Sequence, residues 1–225
     1  MPPQTPASDK PIRVLIVDDH PVVRDGLKAA IAQHPDLLVC GEAAEVEEAV
    51  QMTQTSQPAL ILVDISLKGG SGFDLIKQVR SFDKEVKLLV VSIHEESLYA
   101  ERALRVGASG YINKQEVTTN VIDAIRHVMA GEIYLSPEMT GRLLNRSIGS
   151  SSAPPGGSEI ENLSDRELEV FELIGRGLSL RAIAQQLGRS IHTVQAHREN
   201  IKQKLNLASS VELSRRALQW ILDSK

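Results

Sequence analysis

The sequence predicts an α/β domain with a doubly wound, five-stranded parallel sheet, followed by a small all-α domain. Three observations carry that expectation. Across residues 12–131, five short β-rich runs alternate with five helical patterns, and strands separated by helical segments pair in parallel. Residues 145–162, NRSIGSSSAPPGGSEIEN, lack a hydrophobic period and are rich in Ser, Gly and Pro, the composition of a flexible connector. Beyond them every periodic segment is helical. With 225 residues there is chain enough for two cores.

Residues 1–10 read as a disordered arm. IRVLIVDD (12–19) is apolar from Val14 to Val17, so a buried strand ends at Asp18 and Asp19. VVRDGLKAAIAQH (22–34) follows with apolar residues at helical spacing. LLVCGEA (37–43) and LILVD (60–64) are the next strands, separated by the helix EVEEAVQMT (45–53). After a glycine-rich loop come the helix GFDLIKQVRSF (72–82), the strand KLLVVSI (87–93), the helix LYAERALRVG (98–107), the strand GYIN (110–113) and the helix VTTNVIDAIRHVMAG (117–131). The central strands are apolar on both faces, as a sheet covered on both sides requires. The first domain is placed at 11–132, a connecting helix and linker at 133–162, and the second domain at 163–225. In the second domain Ser164 and Glu167 have capping-box spacing, so a helix starts near Asp165. SLRAIAQQLG (179–188), SIHTVQAHRENIKQKLN (190–206) and SSVELSRRALQWILDS (209–224) are further helices.

Hydrophobic and charged contents of 42% and 24% fit a soluble globular protein. The longest apolar run, VKLLVVSI, is far too short for a bilayer. MPPQTPASDKP lacks the blocks of a secretory leader, so no membrane association and a cytoplasmic location are expected. Cys40, the single cysteine, is expected to be a buried core thiol. The six His form no ligand cluster, and His192 and His197, five apart, fall on different helical faces, which argues against zinc. Residues 1–145 carry a net charge of −6, residues 146–225 of +2 and residues 189–225 of +4. An acidic first part and a basic tail point to a cation and a polyanion as partners.

Ligands of open α/β sheets sit beyond the carboxyl ends of the strands. There this chain places Asp18 and Asp19, Asp64, Ser92 and Lys114, from four different strands. Taken singly, each has an ordinary explanation: the aspartates as turn formers or helix caps, Lys114 as a solvated surface charge. Together they converge. Clustered carboxylates repel unless a cation relieves them, and oxygen ligands with room for water suit Mg²⁺. A carboxylate beside such a cation, with a lysine and a hydroxyl for the equatorial oxygens, can accept a phosphoryl group, with Asp64 as nucleophile.

The segments VDDH, LVDIS, VVSIH and GASGYINK, in this order and spacing, resemble a two-component receiver domain of flavodoxin-like fold over residues 11–132. The resemblance implies that a sensor histidine kinase or phosphotransfer protein phosphorylates Asp64. It implies that Asp19, Asp64 and the backbone carbonyl of Ser66 hold Mg²⁺, with Asp18 acting mostly through water. Ser92 and Tyr111 match the switch pair, Tyr111 turning inward on phosphorylation, and Lys114 matches the phosphate-binding lysine. Lys68 and Gln115 stand where many relatives have Pro. An aspartyl-phosphate hydrolase of the haloacid-dehalogenase type is one alternative, but it needs a second Asp where this chain has Ser66; a DNA-binding regulator with an inactive receiver is the other, and the intact acidic pocket argues against it.

In the tail, a helix, a turn containing Gly188 and a second helix have helix-turn-helix spacing. Val194, Ile201 and Leu205 recur at helical spacing and are assigned to the core. Gln195, Arg198, Glu199 and Lys202 share another face, free to project outwards, where Gln and Arg can read bases and Lys a phosphate. The segment from Leu163 to Leu207 is similar to LuxR-type DNA-binding domains, so the whole chain resembles a NarL/FixJ-type transcriptional regulator. That implies promoter DNA and RNA polymerase as partners and a homodimer when phosphorylated.

Overall fold

The computed structural model describes residues 10–67, 70–148, 160 and 162–223. The arm at 1–9, Lys68 and most of the linker lie outside the described residues. The chain divides into two compact units, one ending at Ser136 and the other beginning at Pro137.

The first unit alternates strands and helices as expected: β1 (Ile12–Val17), α1 (Pro21–Ile31), β2 (Leu37–Ala43), α2 (Val46–Ser56), β3 (Leu60–Val63), α3 (Gly72–Phe82), β4 (Lys87–Ser92), α4 (Glu96–Val106), β5 (Gly110–Asn113) and α5 (Val117–Met129). The sheet order is β2-β1-β3-β4-β5, and every pairing is parallel. Two-residue strands at Ser66–Leu67 and Gly70–Ser71 pair antiparallel between β3 and α3, an addition to the five expected strands. Val14, Ile16, Leu60, Leu62, Leu89 and Val91 pack on Leu27, Ile31, Val121, Ile125 and Val128 of α1 and α5. The alternate residues Leu15, Val17, Ile61, Val63, Leu88 and Val90 are equally buried, as are Ala49, Ile76, Val79 and Ala103 of α2, α3 and α4. Each buried Val, Leu or Ile among them contributes roughly 1.5–3 kcal/mol. Cys40 is half-buried with Sγ 3.7 Å from Ser56 Oγ. It is less covered than expected because β2 is an edge strand.

The second unit opens with α6 (Pro137–Ile148), with Pro at its first turn, where no amide partner is needed. The connector expected from 145 is therefore helical as far as 148. Next come α7 (Asp165–Gly175), α8 (Leu180–Gln186), α9 (Ile191–Lys204) and α10 (Ser210–Asp223). The capping box is present, with Ser164 Oγ accepting from Glu167 N at 3.3 Å and Glu167 Oε2 accepting from Ser164 N at 2.7 Å. Ser179 and Ser190 cap α8 and α9 with their side chains, accepting from Ala182 N and Thr193 N. Gly188, between them, has φ of 61°, a conformation cheap only for Gly. Phe171, Ile183, Val194, Ile201, Leu205 and Leu213 form the buried interior, and the ring of Phe171 lies 5.5 Å from that of Trp220.

Candidate functional site

The strand order reverses between β1 and β3, and the crevice of such a sheet opens there. Val17 pairs with Val63, and Asp64 N donates to Val17 O at 2.8 Å, so the residues following the two strands emerge side by side. The chain turns sharply after Asp64. Gly72 N donates to Ile65 O, and a Cβ on Gly72 would fall 2.1 Å from the Asp64 carbonyl oxygen. The glycine at that place permits the close return that starts α3 beside the acidic cluster.

Lys114 Nζ lies 2.6 Å from Asp18 Oδ2 and 2.8 Å from Asp64 Oδ2, with both carboxylates only 2% exposed. Burial raises the Asp64 pKa from its ordinary 3.8 to about 6, against the pull of Lys114, and the Asp18 charge pushes the same way as burial. Lys114 is itself partly desolvated, but Asp64 and Asp18 outweigh that and hold its pKa up. Asp64 Oδ1 is buried without a hydrogen-bond partner. Carboxylate oxygens of Asp18, Asp19 and Asp64 and a ring nitrogen of His20 fall within 4.8 Å of one another. An orphaned anionic oxygen amid carboxylates is what a hard divalent cation satisfies, so the residues present fit Mg²⁺.

His20 corrects one expectation. Its Nδ1 is 2.7 Å from Asp19 Oδ1 and 3.2 Å from Asp18 Oδ1. A histidine thus does belong to the cluster, because the turn into α1 folds its ring back over the two aspartates. Arg24 steadies the same turn by donating from Nη1 to the Asp18 carbonyl at 2.6 Å.

On the other side, Ser92 is fully buried at the end of β4 and its Oγ accepts from His94 N at 3.3 Å. Tyr111 is already inward, 1% exposed, with its hydroxyl donating to His94 O at 2.9 Å. The expected rotation on phosphorylation is thus not a move from an outward position in this structure; a buried carbonyl needs a donor, and Tyr111 supplies it. Asn113 reaches the same carbonyl at 3.3 Å through Nδ2. Gln115, at the position where the resemblance gives many relatives a Pro, donates its N–H to Asn113 Oδ1 at 3.0 Å. A Pro could not make that bond. His94 went unnoticed in the sequence: it is 5% exposed, its Nε2 is 3.0 Å from Ser66 Oγ, and its ring stacks at 4.6 Å on Tyr99.

In the second unit, Val194, Ile201 and Leu205 of α9 face the interior as their spacing requires. Gln195, Arg198, Glu199 and Lys202 share a face but are half-buried, and the exposed positions of α9 are Ile191, His192, Ala196, Asn200, Gln203 and Lys204. The four are tied to one another. Gln195 Nε2 donates to Glu199 Oε1 at 3.1 Å, Arg198 Nη1 to Gln195 Oε1 at 3.5 Å, and Lys202 Nζ pairs with Glu199 Oε2 at 2.7 Å.

Residues 14–126 match the response regulator receiver domain. Residues 161–217 match the bacterial regulatory proteins of the luxR family. The oxygen regulatory protein NreC of Staphylococcus carnosus is 34% identical over 211 residues, 92% of this chain and 97% of that protein. The nitrate/nitrite response regulator protein NarL of Escherichia coli is 31% identical over 217 residues, 96% and 97% of the two chains. RcsB from Salmonella enterica serovar Typhimurium, solved bound to promoter rprA in the presence of phosphomimetic BeF₃⁻, shares the fold, with TM-score 0.59 and 24% identity over 92% of this chain and 98% of that one. A receiver domain with five parallel strands and an acidic crevice, followed in the sequence by a luxR-type helical domain, with NarL and NreC as relatives over nearly the whole length, makes this protein a member of the NarL/FixJ-type response regulators.

Proposed function

We propose that Asp64 is the phosphoacceptor of this response regulator and that its phosphorylation controls DNA binding by α9. The observation that carries the reading is the Asp18–Lys114–Asp64 arrangement, in which a buried carboxylate keeps one oxygen without a hydrogen-bond partner. A sensor histidine kinase or a phosphotransfer protein supplies the phosphoryl group. An Asp64 oxygen attacks phosphorus, the P–N bond to the donor imidazole breaks, and the departing nitrogen keeps the electron pair. Asp19, Asp64 and the Ser66 carbonyl, with Asp18 behind them, would hold Mg²⁺. When bound it would neutralise carboxylate charge and engage phosphate oxygens. Lys114 exchanges a carboxylate for a phosphate oxygen, and Ser92 Oγ leaves His94 N for another. The added charge of roughly −1.5 to −2 biases the receiver between two states.

In this reading the receiver spans 11–132 and the DNA-binding domain 163–225. The chain works in the cytoplasm as a dimer when phosphorylated, contacting promoter DNA and RNA polymerase. Its only chemistry is phosphotransfer to itself and loss of that phosphate. Incubating the protein with acetyl phosphate, with and without EDTA, and weighing it tests the acceptor. Wild type should gain one acid-labile phosphate that EDTA prevents, and Asp64→Asn should gain none. Labelling that survives either treatment contradicts the assignment.

A further inference from the structure

The loop after β3 carries Ser66, and the loop after β4 carries His94. These residues, 28 positions apart, meet at the Ser66 Oγ–His94 Nε2 hydrogen bond of 3.0 Å. Around it His94 is fixed on three sides. Its ring lies on Tyr99, which is fully buried, its N–H reaches Ser92 Oγ, and its carbonyl accepts from Tyr111 Oη and Asn113 Nδ2. One residue therefore touches the loop of the acidic crevice with its side chain and both switch residues with its backbone. The imidazole bonded to Ser66 gives this short loop a side-chain anchor that helps to fix where its carbonyl lies.

We infer that His94 is a positioning residue: through Ser66 it pins the β4–α4 loop so that Tyr111 is held inward, and it thereby links events at the acidic loop to Tyr111. Coupling through a shared contact is reciprocal. A change at Ser66 is felt at Tyr111, and the inward state of Tyr111 favours the Ser66 placement seen here. The inference rests on the reading of Ser66 and Tyr111 given above, but its readout needs no phosphate. A failed labelling of Asp64 would sink that reading while leaving the Tyr111 measurements to judge this one.

The test uses the full, unphosphorylated chain with 3-fluorotyrosine at its three tyrosines, the Tyr111 fluorine resonance being assigned with Tyr111→Phe. His94→Phe keeps a ring on Tyr99 and removes Nε2, whereas Ser66→Ala removes the other partner with little loss of packing. Each should shift the Tyr111 resonance towards its position in urea by the same amount. The double variant should shift it no further, because groups acting through one bond are not additive. Ser66→Thr, which restores a hydroxyl, should return the wild-type position. MgCl₂ should move the Tyr111 resonance in wild type and leave it in place in both single variants. An unmoved resonance in Ser66→Ala, shifts that add in the double variant, or an equal response to MgCl₂ in the variants overturns the inference.

Discussion

Burial holds the Asp64 carboxyl at a pKa of about 6, and that has a cost in stability that can be measured. Between about pH 4 and 6 the unfolded chain has lost this proton while the folded chain keeps it, so stability falls as pH rises through that window and stays low above it. Asp64→Asn removes the penalty, and Lys114 retains Asp18 as a partner. In EDTA at pH 7.5 the variant should be more stable than wild type by roughly 1–3 kcal/mol, since each pKa unit is worth about 1.4 kcal/mol. The gain should shrink at pH 5, and millimolar MgCl₂ should stabilise wild type more than the variant. Calorimetry at the two pH values, with and without metal, checks each sign; a variant less stable at pH 7.5 would show that the Lys114 pair outweighs desolvation. Ile93 offers a second residue-scale test. It follows Ser92 and is 54% exposed, so truncating it leaves no core cavity. A branched side chain at the mouth hinders the in-line approach of water to phosphorus. Ile93→Ala should lose phosphate faster than wild type when decay is followed after donor removal, and equal or slower loss removes the steric argument.

At the scale of elements, Gly72 joins local conformation to the site. Replacing Gly by Ala at a helical position favours a helix by up to about 1 kcal/mol, but here the new Cβ would meet the Asp64 carbonyl oxygen, a backbone atom that cannot step aside. Overpacking costs typically about 1–3 kcal/mol and wins. Gly72→Ala should lower stability and slow labelling of Asp64 together; higher stability with unchanged labelling would mean that the loop relaxes freely. The strands and α3 were legible in the sequence because apolar period and turn residues are local signals: GFDLIKQVRSF is α3 from end to end. So were the carboxylates at strand ends, since a parallel sheet sends those ends to one edge. What was not legible depends on packing between loops. His94 meets Ser66, and His20 folds over Asp18 and Asp19, through contacts that no periodicity encodes. The extension of α6 over residues 145–148 was hidden by Asn and Ser, whose helix propensities fall short of Ala by less than about 0.7 kcal/mol each, too little to stop a helix already under way. Spacing gave the shared face of Gln195, Arg198, Glu199 and Lys202 but not how far that face is covered.

For the whole molecule, the receiver and the luxR-type domain fall in separate units, and the charge differs along the chain: −6 over residues 1–145 against +2 over residues 146–225, of which residues 189–225 carry +4. The basic stretch is thin, so a single internal carboxylate matters. Glu199 takes up Lys202 and holds Gln195; in the proposed reading this removes one cation from the pool available to DNA phosphates while fixing the orientation of the amide that would read a base. Glu199→Ala should therefore act in two directions. With Lys202 released to a phosphate, binding to every duplex should tighten, and the plot of log affinity against log salt should steepen by about 0.9. With Gln195 no longer held, the preference for the selected site over a scrambled one should fall, by up to the roughly 1–3 kcal/mol that one bidentate base contact carries. Lys202→Ala added to Glu199→Ala should undo the steepening of the salt slope and leave preference as in the single variant, whereas Arg198→Ala alone should flatten preference with its own loss of affinity. Fluorescence titrations of phosphorylated protein against both duplexes at four salt concentrations separate these effects. An unchanged salt slope in Glu199→Ala would show that Lys202 does not reach the backbone, and wild-type selectivity in all three variants would mean that another surface than this face of α9 reads the promoter.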